Sequence, residues 1–280
     1  MRTLLVIIQL FSYSVIQLFA QQQTHEISVY GGGGLSTLRY QLSSGDVSTG
    51  FGGDLGLGYT CFFDGQLGIH TGVGLGLYTA QARLADIKTV TSNLTDSEGD
   101  RFDLHTTLTD YSERQNAMFL NIPVMLQFQT PMDRSQKQGF YAMGGIKTGI
   151  PLGAKYSSSD AALVNEAWYP EYDNWALKQE FAGYGVFDGG KFDGSIDLGV
   201  SVMLSLEAGV KLRIGNELAL YVGAYFDYGL NNTARTSNMP FINHTADNPS
   251  GFTANSVLST FSDKTGIMAA GVKLRVALGI

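Results

Sequence analysis

Residues 194–214, GSIDLGVSVMLSLEAGVKLRI, carry a two-residue period: Ile196, Leu198, Val200, Val202, Leu204, Leu206, Ala208, Val210 and Leu212 alternate with Ser195, Asp197, Ser201, Ser205, Glu207, Lys211 and Arg213. A period of two puts one set on each face of a strand. The run is about twice the 9–11 residues that a tilted strand needs to cross a bilayer, and far longer than the roughly 5–6 residues of a soluble strand. One face calls for lipid and the other for a polar interior. A closed β-barrel supplies both while satisfying every backbone group.

The same alternation recurs in seven further runs: His25–Tyr40, Phe51–Phe62, Gln66–Ala82, Asn116–Gln129, Phe140–Tyr156, Glu217–Leu230 and Lys264–Ile280. Short connections join alternate pairs, at Asp64-Gly65, a two-residue hairpin signal, at Thr130 to Gly139, and at Ile214-Gly215-Asn216. The remaining connections are long. The pattern predicts an all-β fold, an eight-stranded antiparallel up-and-down transmembrane β-barrel over residues 21–280. It places the termini and short turns in the periplasm and the long loops 84–113, 157–192 and 231–263 outside the cell. Pro123 and Pro151 fall within two of the strands. Each removes a ladder donor, so bulges are expected there.

Residues 1–20 support that location. Arg2 precedes a mostly apolar stretch that ends Leu18-Phe19-Ala20 before Gln21-Gln22-Gln23, the layout of a cleaved signal peptide. After it no apolar run is long enough for a membrane helix. Glycine (35), tyrosine (14) and phenylalanine (16) are abundant, and charged residues make up only 15%. The lone Cys61 cannot form an internal disulfide. A formal net charge of −7 argues against a nucleic-acid partner.

An eight-stranded barrel has a lumen that side chains can fill, so the inward residues decide whether anything passes. The inward phase holds the acids Glu26, Asp54, Asp197, Glu207, Glu217 and Asp227 against the bases Lys147, Lys211, Arg213, Lys273 and Arg275, with His70 able to take either role. This near balance predicts a lumen network of paired charges, because an unpaired buried charge costs several kcal/mol, on the order of 3–5. Glycines at 52, 56, 58, 68, 72, 74 and 76 share that inner face and leave room for bulky residues expected from the last three strands. No catalytic constellation, metal-ligand spacing or cofactor motif stands out. His25, His70, His105 and His244 lie far apart, and Gly31–Gly34 is followed by no phosphate-loop Lys-Ser or Lys-Thr.

The long loops differ in chemistry. Leu84–Glu113 is acidic, with seven Asp and Glu, and reads as a solvated loop. Ser157–Phe192 gathers both tryptophans and several other rings, so Trp168, Tyr169, Tyr172, Trp175 and Phe181 are candidates for loop-mediated interaction with a partner or a glycan, or for packing over the barrel mouth.

The segments HEISVYGGGGLSTLRY, FLNIPVMLQFQ with GFYAMGGIKTGIPLGAKY, LYVGAYFDYGLNN and the final GIMAAGVKLRVALGI together resemble the outer-membrane β-barrel proteins of Bacteroidota related to the barrel half of outer membrane protein A. The resemblance covers the whole mature chain and identifies a barrel type better than an activity. Many such proteins carry a peptidoglycan-binding domain after the barrel. The chain ends at Ile280 with the eighth strand, so peptidoglycan anchoring is not carried over, and the last residues Leu278-Gly279-Ile280 lack the usual terminal aromatic. The implied partners are outer-membrane lipid and lipopolysaccharide, the barrel assembly machinery, and an outer-membrane protein complex in which this chain is a subunit. The reading that follows is a non-enzymatic barrel with a plugged lumen, serving envelope structure and loop-mediated interaction. A narrow pore or small-solute carrier is the alternative, and a lipid-modifying or proteolytic barrel would need a converging Ser, His and acid.

Overall fold

Alternating apolar and polar side chains, with few helix formers in sequence, turn most of the chain into strand. The computed structural model describes residues 24–280 except 43, 132–136, 160, 178–181, 189–190, 216, 236–240 and 246–247. The expected signal peptide and Phe181 lie outside the described residues. In chain order the strands begin with β1 (Thr24–Arg39), β2 (Asp46–Phe62), β3 (Leu67–Arg83), β4 (Ile87–Thr95), β5 (Arg101–Thr109), β6 (Ser112–Gln129), β7 (Gln138–Ser158) and β8 (Ala162–Tyr169). They continue with β9 (Asn174–Ala176), β10 (Gly185–Asp188), β11 (Asp193–Ser195), β12 (Ser201–Arg213), β13 (Leu218–Gly229), β14 (Ile242–Thr245), β15 (Asn248–Ala254) and β16 (Gly266–Gly279). One short helix, α1 (Val257–Phe261), precedes the last strand.

Eight of these strands close a ring. The order β7-β12-β13-β16-β1-β2-β3-β6 returns to β7 through the β6–β7 ladder, every pair antiparallel. The chain therefore forms an eight-stranded antiparallel β-barrel with no free edge along its wall. Outward positions expose apolar side chains in a continuous belt, from Phe51, 78% exposed, through Val124 and Leu126 to Leu274 and Ile280. At the turn end of the barrel, Gly65 takes the left-handed conformation (φ 77°) that the Asp64-Gly65 hairpin needs. There the Asp64 carboxylate accepts from the Gln66 and Leu67 amides at 2.9 and 2.6 Å.

Of the two prolines, one sits at a bulge. Pro151 faces Phe119, and the β6–β7 register shifts between Met118 and Phe119. Pro123 causes no shift: Thr71↔Val124 and Gly74↔Asn121 keep one register on both sides. The Thr71 hydroxyl donates to the Pro123 carbonyl at 3.0 Å.

The opening run of the sequence is not one strand. Residues 193–195 pair with β7 as β11, Leu198 bridges Ala234, and β12 begins only at Ser201. Ile196 and Leu198 are buried, whereas Val200, Leu204 and Leu206 are exposed. The alternation therefore reverses phase around Gly199. The cause is an apolar core above the belt, which draws Ile196 and Leu198 inward together with Tyr78, Phe119, Tyr156, Met203 and Ile267.

The long connections also carry structure. The hairpin β4–β5 pairs with β8, and β10 and β9 add to β8, giving a second sheet beyond the barrel wall. Phe102, Leu104, Ala167 and Tyr184 form its small core. The segment 84–113 is thus largely sheet where a solvated loop was expected. Helix α1 seals the loop end of the barrel, where Val257 and Leu258 are buried in the main apolar core.

Candidate functional site

The barrel interior is filled from the turn end upward by layers of paired polar side chains. Lowest, Lys211 Nζ donates to Glu26 Oε1 at 2.7 Å and to Gln129 at 3.0 Å, while the Tyr221 hydroxyl donates to Glu26 Oε2 at 2.7 Å. Above it Arg275, 2% exposed, stacks over the Tyr221 ring at 4.0 Å and donates to Gln127 at 3.1 Å and to His70 Nδ1 at 3.2 Å. The Thr60 hydroxyl lies 2.8 Å from the same Nδ1. A guanidinium only donates, so Nδ1 is the accepting nitrogen and His70 is a neutral imidazole with its proton on Nε2.

The third layer joins Lys273 to Asp54 at 3.1 Å and to Glu207 at 3.4 Å, and Tyr141 donates to Glu207 at 2.8 Å. The fourth joins Lys147 to Asp227 at 2.6 Å, with the Ser205 hydroxyl donating to the other Asp227 oxygen at 2.6 Å. Tyrosine rings lie beside the cations, Tyr30 and Tyr225 each about 5 Å from Lys273. Glycine makes this packing possible, because a Cβ on Gly56 or Gly74 would collide with the Tyr30 hydroxyl and one on Gly58 with His70. The bulky partners of the small residues thus come from β1 and β3, and not only from the last three strands. The cavity between Tyr30, His70, Lys147, Glu207, Lys273 and Arg275 has a volume of about 10 Å³, the size of a single water.

Most of the charged residues chosen from the sequence meet in these layers: Glu26, Asp54, His70, Lys147, Glu207, Lys211, Asp227, Lys273 and Arg275. Four acids face four bases around a neutral histidine. Asp197 and Glu217 lie outside these layers. Asp197 follows the phase reversal outward and pairs at 3.4 Å with Arg235, both side chains well exposed. Glu217 is exposed beyond the end of β12, before β13 begins, because the turn carries it past the wall. Arg213 is half-buried at the lower mouth, beside Glu26 and Lys211.

Sequence reasoning missed a second polar centre at the loop end. Glu113, completely buried, accepts through Oε1 from Gln115 Nε2 at 2.8 Å and from the Ser256 hydroxyl at 2.5 Å. Its Oε2 accepts from the Tyr111 hydroxyl and the Val257 amide, both at 2.9 Å. The carboxylate thereby ties β6 to the start of α1, 143 residues away along the chain. Gln115 also donates to the Tyr40 hydroxyl at 2.7 Å.

The aromatic loop residues pack largely on one another. Trp168 and Trp175 face across β8–β9 with ring centres 5.0 Å apart, and His105 meets Trp175 at 4.8 Å. Tyr169 stacks on Phe102 at 5.5 Å and donates to Asp96 at 3.2 Å. Burial and the neighbouring Tyr184 and Asp96 push its phenol above the ordinary range, so it stays a donor. Tyr172, 58% exposed, donates to Asp100 at 3.0 Å. Among the described residues no group of three or more His, Cys, Asp or Glu is placed to hold a metal ion.

A family model described as outer membrane protein beta-barrel domain matches residues 19–235. No curated protein matches the chain. Among solved structures, the fold is similar to neisserial surface protein A, with 7% identity and TM-score 0.36, covering 92% of this chain and 99% of that one. It is also similar to the attachment invasion locus protein of Yersinia pestis in complex with the heparin analogue sucrose octasulfate, with 10% identity, TM-score 0.31 and coverage of 93% and 100%. A third is the outer membrane protein OprG from Pseudomonas aeruginosa, with 11% identity, TM-score 0.34 and coverage of 92% and 95%.

Proposed function

Because this chain belongs to the outer membrane protein beta-barrel domain family, we propose that it works as a non-enzymatic outer-membrane barrel with a side-chain-plugged lumen, serving envelope structure and presenting its loop-end sheet for interaction. The observation that carries this reading is the balanced interior network. Three ion-paired layers, with the Arg275–Gln127–His70 layer among them, leave about 10 Å³, too little for a hydrated ion; each lysine is paired with an acid and Arg275 is held by neutral acceptors. The short turns then lie in the periplasm with both termini, and the β4-β5-β8 sheet with Trp168, Tyr169, Tyr172 and Trp175 faces the outside. Such a barrel acts alone or as a subunit of a larger outer-membrane complex, with lipid and lipopolysaccharide around its belt and the assembly machinery needed for insertion.

Single-channel recording in a planar bilayer tests the plug. The native barrel is expected to be electrically silent, and the Glu207→Ala, Lys273→Ala variant to show brief openings at most. Steady current through the unaltered protein, changed by that variant, would overturn the reading in favour of a narrow pore.

A further inference from the structure

The outer wall of the barrel is chemically uneven just beyond the apolar belt. On β3, β6 and β7 the outward positions above the last exposed apolar residues Leu77, Met118 and Leu152 carry Arg83, Arg114 and Lys155, all exposed. The register brings them together. Arg83 stands opposite Ser112 and Arg114 opposite Gln81, so the two bases are diagonal neighbours. Lys155 stands opposite Asn116 and is likewise diagonal to Arg114. Diagonal neighbours in a sheet lie about 7–8 Å apart, within the joint reach of side chains this long.

No acid occupies an outward position on these three strands, and no ion pair engages any of the three bases among the described residues. Asp46 on β2 stands directly opposite Arg83 and Asp193 on β11 is diagonal to Lys155, so one acid bounds the patch on either side and neither forms an ion pair with it. The outward faces of β12, β13 and β16 carry no base, and Arg39 on β1 is taken up over the Tyr228 ring at 4.6 Å. With about 3.3 Å of rise per residue and a tilt near 40°, Lys155 stands roughly 7 Å, Arg114 roughly 10 Å and Arg83 roughly 15 Å above the belt. The polar layer of a membrane begins at the belt's edge and is about 5–7 Å thick on each side, so Lys155 stands at its outer limit while Arg114 and Arg83 stand above it and meet it only as their long side chains bend back toward the headgroups.

We propose that Arg83, Arg114 and Lys155 form a binding site on the outer wall for the phosphate of an anionic lipid headgroup. This deepens the reading above and rests on the belt facing lipid. The two guanidiniums match phosphate oxygens bidentately and Lys155 adds a point charge nearer the acyl chains. A base near an anionic surface is worth about 1 kcal/mol, a roughly fivefold preference, and it is screened by salt.

The test uses the whole barrel in nanodiscs of equal phosphatidic acid and phosphatidylcholine, with lipids retained on release counted by native mass spectrometry. The unaltered protein is expected to retain phosphatidic acid over phosphatidylcholine by about fivefold or more. Arg83→Gln, Arg114→Gln, Lys155→Gln together should bring the ratio close to one, while Arg39→Gln leaves it unchanged and Lys155→Arg preserves it. A triple variant that keeps the preference, or an unaltered barrel without one, would overturn the site. Displacement of the lipid by inorganic phosphate at matching concentration would overturn the assignment to lipid and make it a site for free phosphate. Resistance of the folded band to boiling is read in the same samples, so a failure to insert is seen separately and counts against the barrel reading instead.

Discussion

The barrel contains two interiors built on opposite rules. Within the belt, the wall is apolar outside and its core is charged, with Lys147, Lys211, Lys273 and Arg275 bound to Asp227, Glu26, Asp54, Glu207 and Gln127. A few residues higher on the same strands, the wall turns polar outside, with Gln81, Arg83, Arg114, Asn116 and Lys155, and the core becomes apolar, with Leu38, Tyr78, Phe119, Met203 and Val257. The lower part is a membrane protein inside out, and the upper part is an ordinary soluble core. One strand can serve both because its two faces exchange roles where the surrounding solvent changes. Lipid forces polar residues inward, where they need partners, and water releases them outward.

The largest effect is expected where a charge would be left alone. Asp227→Ala strands Lys147, and urea unfolding in detergent micelles should show a loss of about 3–5 kcal/mol, much of it recovered when Lys147→Met is added. If the double variant is no more stable than the single, the lower core is not held by charge pairing and the contrast fails. Next comes Phe119→Ala in the upper core, which should cost about 3–4 kcal/mol by the cavity it leaves. A loss for Phe119→Ala clearly exceeding that for Asp227→Ala would invert the comparison.

Glu113→Ala removes the acceptor shared by Tyr111, Gln115, Ser256 and Val257, at an expected cost of about 1–3 kcal/mol. Hydrogen exchange should then quicken over 253–261 while the belt strands stay protected, which would separate the two interiors as units of stability. The smallest effect lies at the turn. Hydrogen bonds from the Leu67 and Gln66 amides hold the Asp64 carboxyl below the ordinary range. Its stabilising share is therefore fully present above the unfolded pKa near 3.9 and lost as pH falls through the lower folded value. Asp64→Asn should flatten that acid limb of an unfolding curve.

The belt half of this molecule was legible in the sequence and the upper half was not, for one reason. Period-two alternation with charges on the inner face has a single solution in lipid, so the eight barrel strands and nine members of the lumen network could be read directly. Asp197 was misplaced because the run through Gly199 keeps its alternation while the face that is buried changes, and nothing local marks the switch. Glu113 was counted among solvated loop acids. The signal that could have found it is the alternation of Phe102, Leu104, Thr106 and Leu108 within the same segment, which shows that the acidic stretch folds and so has an inside. Two of its four donors, Tyr111 and Gln115, are its own neighbours, but Ser256 and Val257 come from a segment 143 residues away, and spacing along the chain carries no trace of such a convergence.

The lumen network, four acids against four bases with His70 neutral, also has an electrical meaning. A potential across a membrane does work in proportion to the net charge that moves, about 2.3 kcal/mol per charge for each 100 mV. A filling whose charges sum to zero is neither pushed nor pulled as a body, so voltage offers no handle by which to dislodge it.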